Sequence, residues 1–414
     1  MLTPIPRRLD DARVLIYSHD TFGLGHLRRC RAIAHALVGR FKGISVLILS
    51  GSPVIGSFEF RARVDFVRIP GVIKLKDGSY TSLGLHIDLD QTMAMRAAII
   101  RQTAEVFRPD LFLVDKEPLG LEGEVGGTLE LLRARGVRTV LGLRDVLDDP
   151  ETLRREWARK AAAPAVRELY DEIWIYGREA FYHPLRGLES DLGDAVARKT
   201  VFTGYLKRPP AGAADAADES RMRRPYILVS PGGGKDGEEM VELTLQALAG
   251  ARLEAAAALV LGPFMDEAKR THFKRRCRAA PNLSALDYHP RIESLIENAA
   301  GLVTMGGYNT FCEILSFDRP AVLLPRAEPR TEQLIRARRA AQLGLVSMLE
   351  PRDSRAANLQ PLLENLTAQP RPSANLQPGM LDGMDAVCAR VASMLGGEHG
   401  DGDGDGDGDR GDGR

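Results

Sequence analysis

The sequence predicts an α/β protein of two doubly wound parallel-sheet domains that face a cleft, and three observations predict it. Short apolar runs alternate with stretches of helical periodicity along the chain, the pattern of parallel sheets covered on both faces. The alternation is interrupted once, at residues 209–220, a Pro/Ala/Asp-rich segment with no periodic apolar face that reads as a linker. At 414 residues the chain is long for one core, and a 44% apolar content is enough to fill two.

Taken in order, residues 14–17 form a first strand, and the turn at 23–26 leads into a helix whose apolar positions Leu27, Cys30, Ala34 and Leu37 recur at helical spacing. Residues 44–49, 110–115, 137–143 and 172–176 are further buried strands, with helices over 91–107 and 151–170. The first domain is expected over 1–205 and the linker over 206–225. Strands then resume at 226–229, 256–261, 302–305 and 321–324, and the alternation stops near Met348. The second domain is expected over 226–395. The tail, 396–414, alternates Asp and Gly, has nothing to bury and is expected to be disordered. It lacks the closing Glu and flanking helices of a calcium loop.

Lys+Arg and Asp+Glu both number 56, which gives no electrostatic case for a nucleic-acid partner. The four cysteines stand apart without a CxxC or Cys/His pairing, which argues against a zinc site or a disulfide framework and fits a reducing cytosol. The N-terminus turns charged before an apolar stretch of signal-peptide length develops. No apolar run approaches the roughly 18 residues needed to span a bilayer. A soluble, cytoplasmic chain is expected, with room left for peripheral membrane association.

Open α/β sheets bind ligands beyond the carboxyl ends of their strands, where bare helix N-termini collect. In the second domain, residues 301–313 read as a strand that breaks at Gly306 and Gly307 and re-enters a helix carrying Asn309, Thr310 and Glu313. The next strand breaks at Pro325 and re-enters a helix carrying Glu332 and Gln333. A glycine pair lets a ligand approach the backbone, a carboxylate accepts from sugar hydroxyls, and an amide both donates and accepts. The turn after residue 229, with Ser230, Gly232, Gly233 and Gly234, is not a P-loop, because Lys235 is followed by Asp236. Its backbone amides would still hold a diphosphate.

In the first domain, Gly23 and Gly25 begin a dinucleotide fingerprint, but Arg28 stands at the third glycine position and the second strand ends without an acid for a ribose. What remains is a glycine turn that sets His26 at a helix N-terminus facing the cleft. Asp115 and Asp145 end two other strands on the same edge and stand beside His26 as candidate general bases, with Lys116 on the acceptor side. Asp88 and Asp90 mimic a metal-binding pair, but the position before Gln91 suits a helix cap, and no metal is expected.

The runs 305–313 and 325–337 resemble the donor-binding half of the bacterial peptidoglycan N-acetylglucosaminyltransferase and its relatives, two-domain GT-B glycosyltransferases. The resemblance covers most of residues 226–348 and, more weakly, 23–26. It implies two Rossmann-like domains, a UDP-sugar as donor substrate and inversion at the anomeric carbon; with the growing charge of the diphosphate met by the backbone of residues 232–234 and by Arg208, no metal and no further cofactor are expected. It implies that Glu313 accepts from the ribose, that Gln333 contacts the donor sugar, that Arg208 approaches the phosphate, and that the loop holding His289 and Ile292 reads the base through its backbone. Two departures stand out: Gly234 replaces a hydroxyl residue, and Glu332 sits where relatives have an amide or a histidine. The acceptor, whether glycan, lipid or small metabolite, is not legible. A non-hydrolysing UDP-sugar epimerase and a nucleotide-sugar-binding protein without turnover are the alternatives.

Overall fold

The computed structural model describes residues 9, 11–19, 24–74, 80–210, 225–289 and 291–396. The first domain contains β1 (Arg13–Ser18), α1 (Gly25–Arg40), β2 (Ser45–Ser50), β3 (Val64–Arg68), β4 (Val72–Lys74), β5 (Tyr80–Ser82), α2 (Leu89–Phe107), β6 (Leu111–Asp115), α3 (Gly126–Ala134), β7 (Arg138–Arg144), α4 (Pro150–Arg159), α5 (Ala162–Glu168), β8 (Glu172–Tyr176), α6 (Glu189–Arg198) and β9 (Thr200–Phe202). The second contains β10 (Tyr226–Ser230), α7 (Glu238–Gly250), β11 (Ala256–Val260), α8 (Glu267–Arg278), β12 (Leu283–Leu286), α9 (Ile292–Asn298), β13 (Gly301–Thr304), α10 (Tyr308–Ser316), β14 (Ala321–Leu323), α11 (Glu332–Gln342), β15 (Ser347–Met348) and α12 (Ala356–Glu364), and the chain closes with α13 (Gly383–Leu395).

Both main sheets are wholly parallel, in the orders β3-β2-β1-β6-β7-β8-β9 and β12-β11-β10-β13-β14-β15. The central strands read as continuous apolar runs because helices cover both faces: β6, β8 and β10 are buried at every position. The order reverses between β1 and β6 in one sheet and between β10 and β13 in the other. The loops leaving those strands therefore diverge to opposite faces and open a crevice.

Several expectations need correction. Residues 151–170 form two helices, because Pro164 has no N–H for the carbonyl of Lys160 and the chain turns at Ala161 with φ +48. The last helix of the expected second domain, α13, packs on α1 of the first: its Val387 and Val391 belong to one apolar cluster with Val14 and Leu37, and Arg390 Nε donates to Glu172 Oε2 at 3.0 Å. Within the linker span, Leu206 and Arg208 are buried, and Leu206 bridges to Asp382. Residues 211–224 of the linker, Gly23 and the tail from 397 lie outside the described residues. All four cysteines are buried, as small core residues. Asp88 caps α2, accepting from the Gln91 amide at 2.7 Å.

Ion pairs join the domains. Arg336 on α11 donates to Asp145 through Nη2 (2.6 Å) and Nε (2.9 Å), and both side chains are 0% exposed. Arg144 pairs with Glu332 at 2.7 Å, and Arg330 reaches Asp148 at 3.0 Å and Glu156 at 2.7 Å. The guanidinium groups of Arg29 and Arg336 both lie over the Tyr308 ring, 5.5 and 5.7 Å from its centroid.

Candidate active site

His26 sits in the first turn of α1, beyond β1, and Asp115 ends the neighbouring β6. The switch point brings them together: His26 Nδ1 is 2.5 Å from Asp115 Oδ2. Arg29, three residues further along α1, donates to Asp115 Oδ1 from Nε (2.8 Å) and Nη2 (2.6 Å). Burial alone would raise the Asp115 carboxyl, but Arg29 and then His26 outweigh it and hold the group well below the usual carboxylate range. Burial lowers His26, and Arg29 and Lys116 act in the same direction against the opposing pull of Asp115. The ring is therefore neutral near neutral pH. Beside an ionised acceptor at 2.5 Å, Nδ1 is placed to donate to Asp115, a tautomer that leaves the Nε2 lone pair able to accept a proton.

Asp115 and Asp145, the other two candidate bases, are both buried and ion-paired. Asp115, 2% exposed, is the partner of His26 and Arg29. Asp145 accepts from Arg336 and, at 2.9 Å, from the Tyr205 hydroxyl, and it reaches no solvent. Lys116 takes a left-handed backbone (φ +70) and pairs with Glu117 at 3.2 Å, beside rather than in the cavity wall. Sequence reasoning missed the buried His19, whose ring meets that of His26 edge-on with centroids 5.6 Å apart. It also missed the pairing of His26 with Asp115, since strand neighbours are not adjacent in sequence.

One cavity brings the two domains' turns together. From the first domain it is lined by Gly25, His26, Arg28, Arg29 and Arg144. From the second come Ser230, Gly232, Gly233, His289, Ile292, Gly307, Asn309, Thr310, Glu313, Arg326, Glu332 and Gln333. A Cβ on Gly232 or Gly307 would meet no atom within 4 Å, so the backbone there faces the open cleft. Three expected donor residues stand elsewhere. Gly234 (φ +91) packs with no room for a Cβ, which would lie 2.4 Å from the Leu261 carbonyl, so it serves the turn. Gly306 lies behind the wall, its carbonyl accepting from Arg336 at 3.1 Å. Arg208 is buried behind Asn309, donating to Asn309 Oδ1 at 2.7 Å, while Asn309 Nδ2 donates to the Gly25 carbonyl at 2.7 Å.

Glu332 is held down to about 2: burial would raise it, but Arg144 and Arg336 outweigh burial, so it lines the cavity as a carboxylate already paired. Gln333 Oε1 accepts from the Arg326 amide at 3.3 Å. Glu313 is the opposite case. It is 1% exposed, its Oε2 is buried without a partner, and burial pushes it up to about 7.

The geometry is that of a site divided between two domains, with a histidine–carboxylate pair on one side and exposed backbone on the other. Residues 232–379 match the family described as glycosyltransferase family 28 C-terminal domain. No curated protein matches the chain in sequence. Among solved structures, the chain is similar to a calicheamicin glycosyltransferase (18% identity over 93% of this chain and 98% of that one, TM-score 0.58). It is also similar to the spinosyn forosaminyltransferase (15% identity, 94% and 100%, TM-score 0.62). A UDP-glucosyltransferase from Polygonum tinctorium is a third (15% identity, 96% and 100%, TM-score 0.61). The chain thus has the two-domain GT-B fold of these glycosyltransferases, and residues 232–379 match a glycosyltransferase family 28 C-terminal domain.

Proposed function

We propose that the protein transfers a sugar from a UDP-sugar to an acceptor hydroxyl, with inversion at the anomeric carbon and without a metal ion. The observation that carries the reading is the His26–Asp115 pair, 2.5 Å apart, on the same cavity as the turns of a family 28 C-terminal domain. His26 Nε2 takes the proton of the acceptor hydroxyl as its oxygen bonds to the anomeric carbon. The bond from that carbon to the diphosphate breaks, and UDP leaves with the electron pair. Asp115 stabilises the imidazolium that forms, and Arg29 fixes Asp115.

The backbone at Gly232 and Gly233 receives the diphosphate, whose growing charge it stabilises. Arg326 on the same wall adds a cation. Glu313 accepts from the ribose, and Gln333 contacts the sugar. The family 28 match and the Polygonum UDP-glucosyltransferase of like fold support a UDP-sugar donor. Kinship with the peptidoglycan N-acetylglucosaminyltransferase rests on the segments 305–313 and 325–337. Among the described residues no helix is long and apolar enough to cross a membrane, and we place the reaction in the cytoplasm.

The test is product analysis of the protein with UDP-sugars and extracts as acceptor source. Free UDP together with a new glycoside supports transfer. An isomerised UDP-sugar without UDP release identifies an epimerase instead, and donor binding with neither product identifies a binding protein.

A further inference from the structure

Arg28, two residues beyond His26 on α1, has no part in the reaction as described. Its Nη2 crosses the domain boundary and donates to Glu313 Oε1 at 2.6 Å and to Glu293 Oε1 at 2.7 Å. One Glu313 oxygen is thereby taken by a cation of the opposite domain. The other, Oε2, is buried and unpartnered on a residue that lines the cavity. That is the arrangement of a carboxyl group paired on one side and left to accept from a ligand on the other.

The surroundings make Arg28 decisive. Burial raises Glu313, Glu293 on α9 raises it further, and Arg28 and the more distant Arg208 lower it, with the balance at about 7. Glu293 is held down to about 2: burial works against that, and Arg28 outweighs it. Glu293 therefore anchors Arg28 as a fixed anion. Among the described residues, the ion-pair partner of Glu313 comes from the first domain, not from its own.

We propose that Arg28 is a positioning residue that completes the nucleoside site from the opposite domain, holding Glu313 as a carboxylate whose Oε2 accepts from the ribose hydroxyls. Ribose recognition is then tied to the apposition of the two domains. The inference rests on the donor site proposed above.

The experiment is titration calorimetry on the full chain with UDP and with 2′,3′-dideoxyuridine diphosphate at pH 6, 7 and 8, for wild type, Arg28→Ala and Arg28→Lys. Wild type should prefer UDP, with the preference growing as pH rises through 7 and Glu313 ionises. Arg28→Ala should weaken UDP about tenfold at pH 8, the difference between a charged and a neutral hydrogen-bond acceptor. Its affinity for the dideoxy compound should be unchanged, which also reports a folded site, and the pH rise should move upward. Arg28→Lys should restore part of the preference. Arg28→Ala with UDP affinity equal to or tighter than wild type overturns the proposal, the tighter case marking Arg28 as a plug. Equal losses for both nucleotides overturn it as well. A wild type that binds neither nucleotide removes the donor site itself, and this is distinct from a wild type that binds with an inert Arg28.

Discussion

The two turns that meet in the cleft are built on opposite principles. On the first domain the polar groups are already paired: His26 with Asp115 at 2.5 Å, Asp115 with Arg29 at 2.6 Å, Arg144 with Glu332 at 2.7 Å. On the second, the wall is backbone at Gly232, Gly233 and Gly307, with Glu313 Oε2 buried and unmatched. A paired, rigid set of polar groups costs little reorganisation when charge moves. Bare backbone and an unmatched acceptor gain their partners only from a ligand. The difference separates chemistry from binding: the first domain should govern turnover and the second donor affinity.

The sharpest way to break that division is His26→Ala. It should lower turnover by about 100-fold or more while UDP affinity stays near wild type, as read by steady-state kinetics beside calorimetry. A parallel loss of UDP binding would merge the two roles.

The joint between the halves is tested by Asp145→Asn, which takes from Arg336, 0% exposed, its counter-ion at 2.6 Å and leaves it Glu332 at 3.0 Å. A loss of about 3–5 kcal/mol in unfolding free energy is expected in denaturant titrations. Replacing both members together, Asp145→Leu with Arg336→Met, should recover most of it, because no unpaired charge remains.

On the binding side, Glu313→Gln should weaken UDP by about 1–3 kcal/mol without altering turnover at saturating donor. Two glycines sharpen the same point. A Cβ at Gly307 meets nothing within 4 Å, so Gly307→Ala should fold normally and bind donor poorly. A Cβ at Gly234 would lie 2.4 Å from a backbone carbonyl, so Gly234→Ala should lose stability first, as melting curves of the two variants will show.

The pH profile distinguishes the domains as well. His26 titrates below its ordinary 6.5, so turnover should hold until pH falls under that value. Glu313 titrates at about 7, so the KM for donor should begin to rise at a higher pH than the fall in turnover. The smallest effect is expected from a chelator, which should leave activity unchanged if amides and arginines carry the diphosphate. Activity lost to chelation and restored by magnesium or manganese would place a metal in the site.

Much of the fold was legible because its elements are long enough to carry a period. The apolar face Leu27, Cys30, Ala34 and Leu37 of α1 is buried as its spacing implies. Strand runs such as 172–176 are buried at every position. The strands β12 and β15, of four and two residues, are too short for a period to show. Candidate site residues were found where a strand ends in a glycine turn, and most of them do line the cavity. Arg208, Gly234, Gly306, Asp115, Asp145 and Lys116 do not, because position along the chain does not say which side chain meets the cleft.

The sequence by itself determined two parallel α/β sheets, the turns that bear the site and the presence of His26 at a helix start, since periodicity and turn chemistry are local properties. Tertiary structure alone decided which distant groups meet. It made Asp115 the partner of His26, tied Asp145 to Arg336, set Arg28 against Glu313 and packed α13 on α1 of the first domain. Such pairings depend on strand order and domain apposition, which no local pattern encodes. The resulting charge states follow from burial and counter-ions that exist only once the two domains meet.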